Sequence, residues 1–331
     1  MIEVGRHADP FPALLTTSVA KATLYSVDTY FAEAWADLSA ATTDPVRFAW
    51  EHGLLVLKPD AFAGRRAHVI LEWLDDAGFV IADARRLRFD RHSIRAEWRY
   101  QWNMATPDRK KLMDVLLNLS DCMLVIVRSR DPIDVPATVR LTDLKGPAEV
   151  AKRRPDHLRW KLGLSSAILS FLHTADEPAD VVREFGIHAA APERIALLER
   201  LACRPDATCG AWALCDELYA EVPFHDLDPA EIGRRLEQAA DPDLGGDLDQ
   251  GELRRLAPQL REGECTQWSK IPGLARRCGA AFGVWDEVVL TAANIVPNFP
   301  GRESVLRTEP RDWVGLSAEL NSGASVSPTP H

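Results

Sequence analysis

Residues 54–62, Leu-Leu-Val-Leu-Lys-Pro-Asp-Ala-Phe, place an unbroken aliphatic run directly before Lys58 and Pro59. Four consecutive aliphatic residues read as a strand buried on both faces, and a lysine at its carboxyl end stands where a sheet can meet a phosphate. Taken alone, such a lysine is more often a solvated charge. The pattern continues outward from this strand. Residues 66–77 have helical spacing and end at Gly78, residues 79–89 read as a second strand, and residues 107–119 read as a helix capped by Thr106. Residues 122–127, Cys-Met-Leu-Val-Ile-Val, form another buried strand. Strand, helix, strand, helix, strand is the order of a split βαβ sheet and predicts an α+β domain of the ferredoxin-like kind.

On the amino-terminal side, residues 12–38 carry apolar groups at helical spacing and residues 39–45 break the pattern, so residues 1–50 are expected to form a helical extension. The α+β domain is expected over 51–190, a mostly α domain over 191–316 and a disordered tail over 317–331. The 331-residue chain is 46% hydrophobic, enough for more than one core, and its net charge of −10 argues against nucleic acid or an anionic membrane as partner. No apolar run approaches the ~18 residues needed to span a bilayer. The amino terminus also lacks a signal-peptide pattern, so a cytoplasmic protein is expected. The six cysteines show no Cys-x-x-Cys pair and read as reduced structural thiols.

His173-Thr174-Ala175-Asp176 follows the apolar run 167–172 and precedes a helix opened by Glu177 and Pro178. One histidine among nine carries little weight by itself. Glu184, eleven positions later on that helix, changes this, because it can fold back to hold one ring nitrogen and leave the other as a free lone pair.

Together these segments resemble the nucleoside diphosphate kinase family. The family opens with a strand followed by Lys-Pro-Asp, as residues 54–62 do, and its nucleophile lies in an Asn-x-x-His-Gly-Ser-Asp motif echoed by Ser170-Phe171-Leu172-His173-Thr174-Ala175-Asp176. The resemblance implies that His173 is the phosphorylated nucleophile, Glu184 its orienting carboxylate and Lys58 a catalytic cation. It matches Arg140 and Arg159 to phosphate-binding arginines, Pro147 to the proline of the family's Thr-Asn-Pro loop, and Tyr100 to a tyrosine near the nucleotide. The family's asparagine becomes Ser170, its loop threonine aligns with Lys145, and its serine two residues past the nucleophile becomes Ala175. The implied activity is ping-pong transfer of the γ-phosphoryl of a nucleoside triphosphate, with Mg²⁺ on the nucleotide, through phosphohistidine to a nucleoside diphosphate or related acceptor. A homo-oligomer is compatible with this reading. The rival is a catalytically inactive nucleotide-binding or scaffolding protein.

A second resemblance, to EF-hand proteins, lies in residues 241–252. Asp241, Asp243, Asp249 and Glu252 fall at calcium-ligand positions 1, 3, 9 and 12, with Gly246 at position 6 and Gly245 failing position 5. The segments around Gly210 and Gly283 repeat a Gly-x-apolar signature at similar spacing. Ca²⁺ is therefore a candidate ligand and 191–316 a candidate EF-hand-like domain, against the plainer reading of an acidic surface turn.

Overall fold

The computed structural model describes residues 11–131, 134–163, 166–240, 248–306 and 310–322. The chain enters through three helices, α1 (Val19–Tyr25), α2 (Thr29–Ala41) and α3 (Pro45–Glu51), and passes directly into β1 (His52–Leu57). There follow α4 (Pro59–Ala63), α5 (Ala67–Asp76), β2 (Phe79–Leu87), α6 (Arg91–Glu97), α7 (Pro107–Leu116) and β3 (Cys122–Ser129). Next come α8 (Ala137–Lys145), α9 (Leu158–Lys161), β4 (Leu172–Thr174) and α10 (Pro178–His188). The rest is helical: α11 (Ala191–Ala202), α12 (Thr208–Glu221), α13 (Pro229–Ala239), α14 (Leu248–Arg261), α15 (Ile271–Arg277), α16 (Val284–Asn294) and α17 (Ser317–Ser322).

The four strands form one antiparallel sheet in the order β2-β3-β1-β4. Every residue of central β1 is buried, as its continuous aliphatic pattern requires. Alternation divides its side chains between two cores: Leu55 and Leu57 meet Ile70 and Leu74 of α5 and Leu141 of α8, while Leu54 and Val56 join Val181, Val182 and Phe185 of α10. Full burial of each of these aliphatic side chains contributes about 1.5–3 kcal/mol. The sheet therefore lies between α5 and α8 on one face and α10 on the other. The split βαβ arrangement expected from the sequence is present, with β1 and β3 in the centre.

α10 is clamped from outside by α2. A Cβ built on Gly186 would lie 2.2 Å from the carbonyl oxygen of Tyr30, a backbone atom that cannot swing away. Gly186→Ala is expected to destabilise the protein by ~1–3 kcal/mol or more through overpacking. Chemical denaturation will measure this, and an unchanged midpoint would contradict the close helix crossing.

Several expectations need correction. The single helical stretch over 12–38 is broken where Asp28 caps α2, accepting the Phe31 N–H. Helix α6, capped by Asp90 and Ser93 in a capping box, was absent from the sequence reading, and so was β4. Residues 317–322, expected in the disordered tail, form α17. The preceding Trp313 is fully buried, edge-on to Trp50 at 5.5 Å between ring centroids. Gly210 lies inside continuous helix α12 rather than in a degenerate calcium loop. Of the proposed calcium ligands, Asp241 and Asp243 lie outside the described residues. Asp249 and Glu252 lie in the first turns of α14 and pair with Arg277 at 2.7 Å and Lys270 at 2.9 Å. Both carboxylates are thus already balanced by cations, and the EF-hand resemblance gains no support from the described structure. Among the described residues, no helix is long and apolar enough to cross a membrane.

Candidate active site

β4 brings His173 opposite Val56 of β1, one pair from the end of the strand that leads into Lys58. The Lys58 N–H donates to the Phe171 carbonyl at 2.8 Å, and Asp60 Oδ2 accepts the Phe171 N–H at 2.8 Å. These bonds tie the Lys-Pro-Asp turn to the segment carrying His173, although 115 positions separate Lys58 from His173 in the sequence. Lys58 Nζ donates to the Ile168 carbonyl at 2.8 Å and lies 3.5 Å from Asp60 Oδ2. Burial pulls its pKa down, with Asp60 opposing the shift.

His173 lines a cleft of about 580 Å³ together with Lys58, Lys145, Arg159, Ser170 and Thr174. Further cations, Arg109, Lys152 and Arg154, extend it, and Trp98, Trp102 and Met113 give it an apolar wall. Arg159 donates from Nη1 to the Gly146 carbonyl at 2.9 Å and from Nη2 to the Leu172 carbonyl at 3.0 Å, so it joins the end of α8 to β4. Burial lowers its pKa to about 10. Gly146 is required at that junction: its φ is +80°, and a Cβ there would lie 2.5 Å from the His157 ring.

Lys145 points at the hydroxyl of Thr174, which also shares a hydrogen bond of 2.7 Å with Thr142. Burial, reinforced by the charge of Arg159, lowers its pKa to about 7, against the weaker pull of Asp176 and Glu184. An anion entering the cleft favours the charged ammonium. Binding is therefore accompanied by proton uptake and weakens as pH rises above about 7, by up to ~10-fold per pH unit for one coupled proton. Calorimetric titration with sulfate, which carries no proton in this pH range, in buffers of different ionisation enthalpy will check this. Proton uptake should vanish in Lys145→Met, and its absence from the unsubstituted protein would contradict the assignment.

Behind the cleft, His173 Nε2 lies 3.1 Å from Glu184 Oε1 and 2.8 Å from Glu97 Oε1. Only the Glu184 contact has hydrogen-bond geometry. Burial pulls the ring's pKa down, but Glu184 and Glu97 outweigh it and raise it to about 10. Burial pushes the Glu184 carboxyl up to about 8, assisted by the neighbouring Glu97 charge. Burial acts in the same direction on Glu97, but His188 and His173 override it and hold that carboxyl below its usual range. Edge-on contact with Trp98, 5.4 Å between centroids, fixes the His173 ring further, and Nδ1 has no partner among the described residues.

The structure thus assembles Lys58, Lys145, Arg159, Ser170, His173 and Glu184 as the sequence led us to expect. It does not bring Arg140 to them. That guanidinium donates to the Ala77 carbonyl at 2.7 Å and stacks over Phe79, packing the far face of the sheet. Tyr100 also turns away from the cleft, and its hydroxyl donates to Asp28 at 3.0 Å. Sequence reasoning missed Glu97, His188 and Arg109. Two signals were available: Glu97 follows Ile94 by three positions on a short capped helix, and His188 follows Glu184 by four.

No curated protein matches the chain. Among solved structures, nucleoside diphosphate kinase from Encephalitozoon cuniculi is similar at 16% identity, covering 41% of this chain and 87% of that one, with a TM-score of 0.36. The enzyme from Aquifex aeolicus is similar at 20% identity, with coverage of 43% and 97% and a TM-score of 0.36. A nucleoside diphosphate kinase family protein from Babesia bovis is similar at 15% identity, with coverage of 43% and 90% and a TM-score of 0.36. The family model described as nucleoside diphosphate kinase matches residues 51–193, which span β1 to β4, His173 and Glu184. Residues 51–193 thus form a nucleoside diphosphate kinase-like domain, carried within a longer and largely helical chain.

Proposed function

We propose that this domain is a phosphotransferase that works through a phosphohistidine at His173. The observation that carries the proposal is the placement of one imidazole between two environments. Its Nε2 is held by Glu184 at 3.1 Å, and the ring forms part of a cationic cleft wall. The Nδ1 lone pair attacks the γ-phosphorus of a nucleoside triphosphate. The bond to the β–γ bridging oxygen breaks, and the nucleoside diphosphate leaves with the electron pair. In the second half-reaction an acceptor oxygen attacks the phosphorus and the N–P electron pair returns to Nδ1. Lys58, Lys145 and Arg159 supply positive charge opposite the negative charge on the phosphoryl oxygens. Mg²⁺ brought with the nucleotide would neutralise charge on its phosphates, and among the described residues Asp143 and Asp176 are the cleft carboxylates that could face it.

With its pKa raised to about 10, the ring is a cation at neutral pH and must shed its Nδ1 proton before it attacks. This one observation favours the second reading, a domain that binds nucleotide without transfer, because an imidazolium binds anions well and attacks nothing. Steady-state transfer from Mg²⁺-ATP to GDP tests the first reading. Parallel double-reciprocal lines are expected for a ping-pong route. Intersecting lines, or binding without transfer, would remove it. Replacement of the family's asparagine and serine by Ser170 and Ala175 takes away neutral hydrogen-bond partners, so discharge to GDP is expected to be slower than formation of the phosphoenzyme.

A further inference from the structure

Behind His173, on the side away from the cleft, the last residue of α6 and the last turns of α10 form a second cluster. Glu97, Glu184 and His188 bring one ligand atom each to within 4.8 Å of one another. All three are enclosed: Glu97 and Glu184 are 7% and 5% exposed, and the His188 side chain 2%. Helical spacing of four residues puts Glu184 and His188 on one face of α10, and α6 lays Glu97 across it.

The contacts inside this cluster are short, yet few are hydrogen bonds. Glu97 Oε2 lies 2.9 Å from His188 Nε2, but neither oxygen of Glu97 has a hydrogen-bond partner, nor does Glu184 Oε2 or either nitrogen of His188. Two ligands on a tetrahedral ion with bonds of about 2.1 Å lie about 3.4 Å apart; Glu97 Oε2 and His188 Nε2 are 2.9 Å apart and the Glu184 ligand atom lies within 4.8 Å of both, so small shifts let the three close on one ion.

Charge gives an independent argument. A neighbouring cavity of about 30 Å³ is lined by Glu97, Glu184, Asp176 and Asp180 against Lys21 and Arg183, four carboxylates against two cations. Of the two cations, Lys21 pairs with Asp180 of this set and with Glu177, both at 2.7 Å, and Arg183 pairs with Asp28 at 3.0 Å. Glu97 and Glu184 are left to the protons they share with the His173 and His188 rings, and a divalent cation that binds there takes the place of such protons.

We propose that Glu97, Glu184 and His188 bind a divalent transition cation of the zinc class. Two carboxylate oxygens and one imidazole nitrogen suit such an ion better than Mg²⁺ or Ca²⁺, which favour oxygen alone. Three protein donors leave a fourth position for water, and the small cavity beside Glu97 and Glu184 has the volume for it. With the ion on Glu184 Oε2, Oε1 still accepts the Nε2–H of His173. The ion then stands one carboxylate away from the proposed nucleophile, a consequence that rests on the phosphohistidine reading as the site itself does not.

The test is titration of the full chain, stripped of metal with a chelator, using Zn²⁺ in a calorimeter and Co²⁺ in an absorption spectrometer. One equivalent should bind, with d–d bands typical of low coordination. Glu97→Gln and His188→Gln should each weaken binding at least ten-fold, while Glu252→Gln, in the remote acidic segment, should leave it unchanged. Histidine ¹⁵N resonances of the unsubstituted protein provide a readout if a variant fails to fold: saturating Zn²⁺ should shift a nitrogen of His188. No stoichiometric binding at millimolar Zn²⁺, undiminished binding in both variants, or an unmoved His188 resonance would each overturn the site and show that protons balance the cluster. Phosphorylation can be assayed separately in the stripped protein, so failure of one proposal does not count against the other.

Discussion

His173→Ala protein should gain no phosphate from Mg²⁺-ATP while still binding the nucleotide. Among the described residues, the substitution removes the only imidazole that reaches both the cleft and the Glu97–Glu184 pair, and no other described cleft residue is placed to accept a phosphoryl group with a carboxylate behind it. Alanine also leaves two buried carboxylates facing each other with one cationic partner fewer, so some loss of stability is expected. His173→Gln guards against that confusion: it preserves a side-chain N–H donor but has no nucleophilic nitrogen, and it should be equally unlabelled yet better folded. Glu184→Gln should slow labelling by about ten-fold or more, because an amide replaces the carboxyl that holds the ring's Nε2 and fixes its tautomer. Rapid-quench measurement of phosphoenzyme formation will rank the three, and labelling of either His173 variant at the original rate would defeat the assignment.

The second large effect separates two arginines that the sequence treated alike. Arg159→Ala is expected to slow phosphoenzyme formation by at least ~10-fold, since it removes a buried cation from the cleft and unpairs the carbonyls of Gly146 and Leu172. Arg159→Lys keeps the charge but loses the fork that bonds both carbonyls, and should fall between the two. Arg140→Ala should leave the rate within about two-fold and act on stability instead, because its guanidinium caps the Ala77 carbonyl and covers Phe79. Equal loss of rate in the alanine variants of both arginines would show that Arg140 reaches the cleft in the working protein.

These contrasts show where sequence and fold part company. The sheet was readable because β1 and β3 carry unbroken apolar runs, Leu54 to Leu57 and Cys122 to Val127, the pattern forced on a strand buried on both faces. The pairing of Lys58, His173 and Glu184 was readable because each follows a local signal: a strand end, a strand-to-helix turn and the next helix. Strand β4 was not, because three residues offer too short a period, and its place is set by pairing with β1 rather than by its own sequence. Glu97 was hidden for a related reason. A glutamate on a seven-residue helix reads as a solvated charge until the helix is seen to turn it inward against His173 and His188. Arg140 was misplaced because residues 137–145 form a helix, and on a helix a shift of one position swings a side chain by about 100°. The calcium reading of residues 241–252 rested on the spacing of its acids against an EF-hand loop, and its described acids already have partners in Arg277 and Lys270.

The central claim is tested most directly by the intact mass of the full chain after incubation with Mg²⁺-ATP, followed by fragmentation to locate the modification. One phosphate per chain is expected, on His173, stable in base and lost in mild acid because protonation of the ring nitrogen makes the N–P bond labile. An unchanged mass under conditions where nucleotide is bound, or an acid-stable phosphate on any other residue, would contradict it.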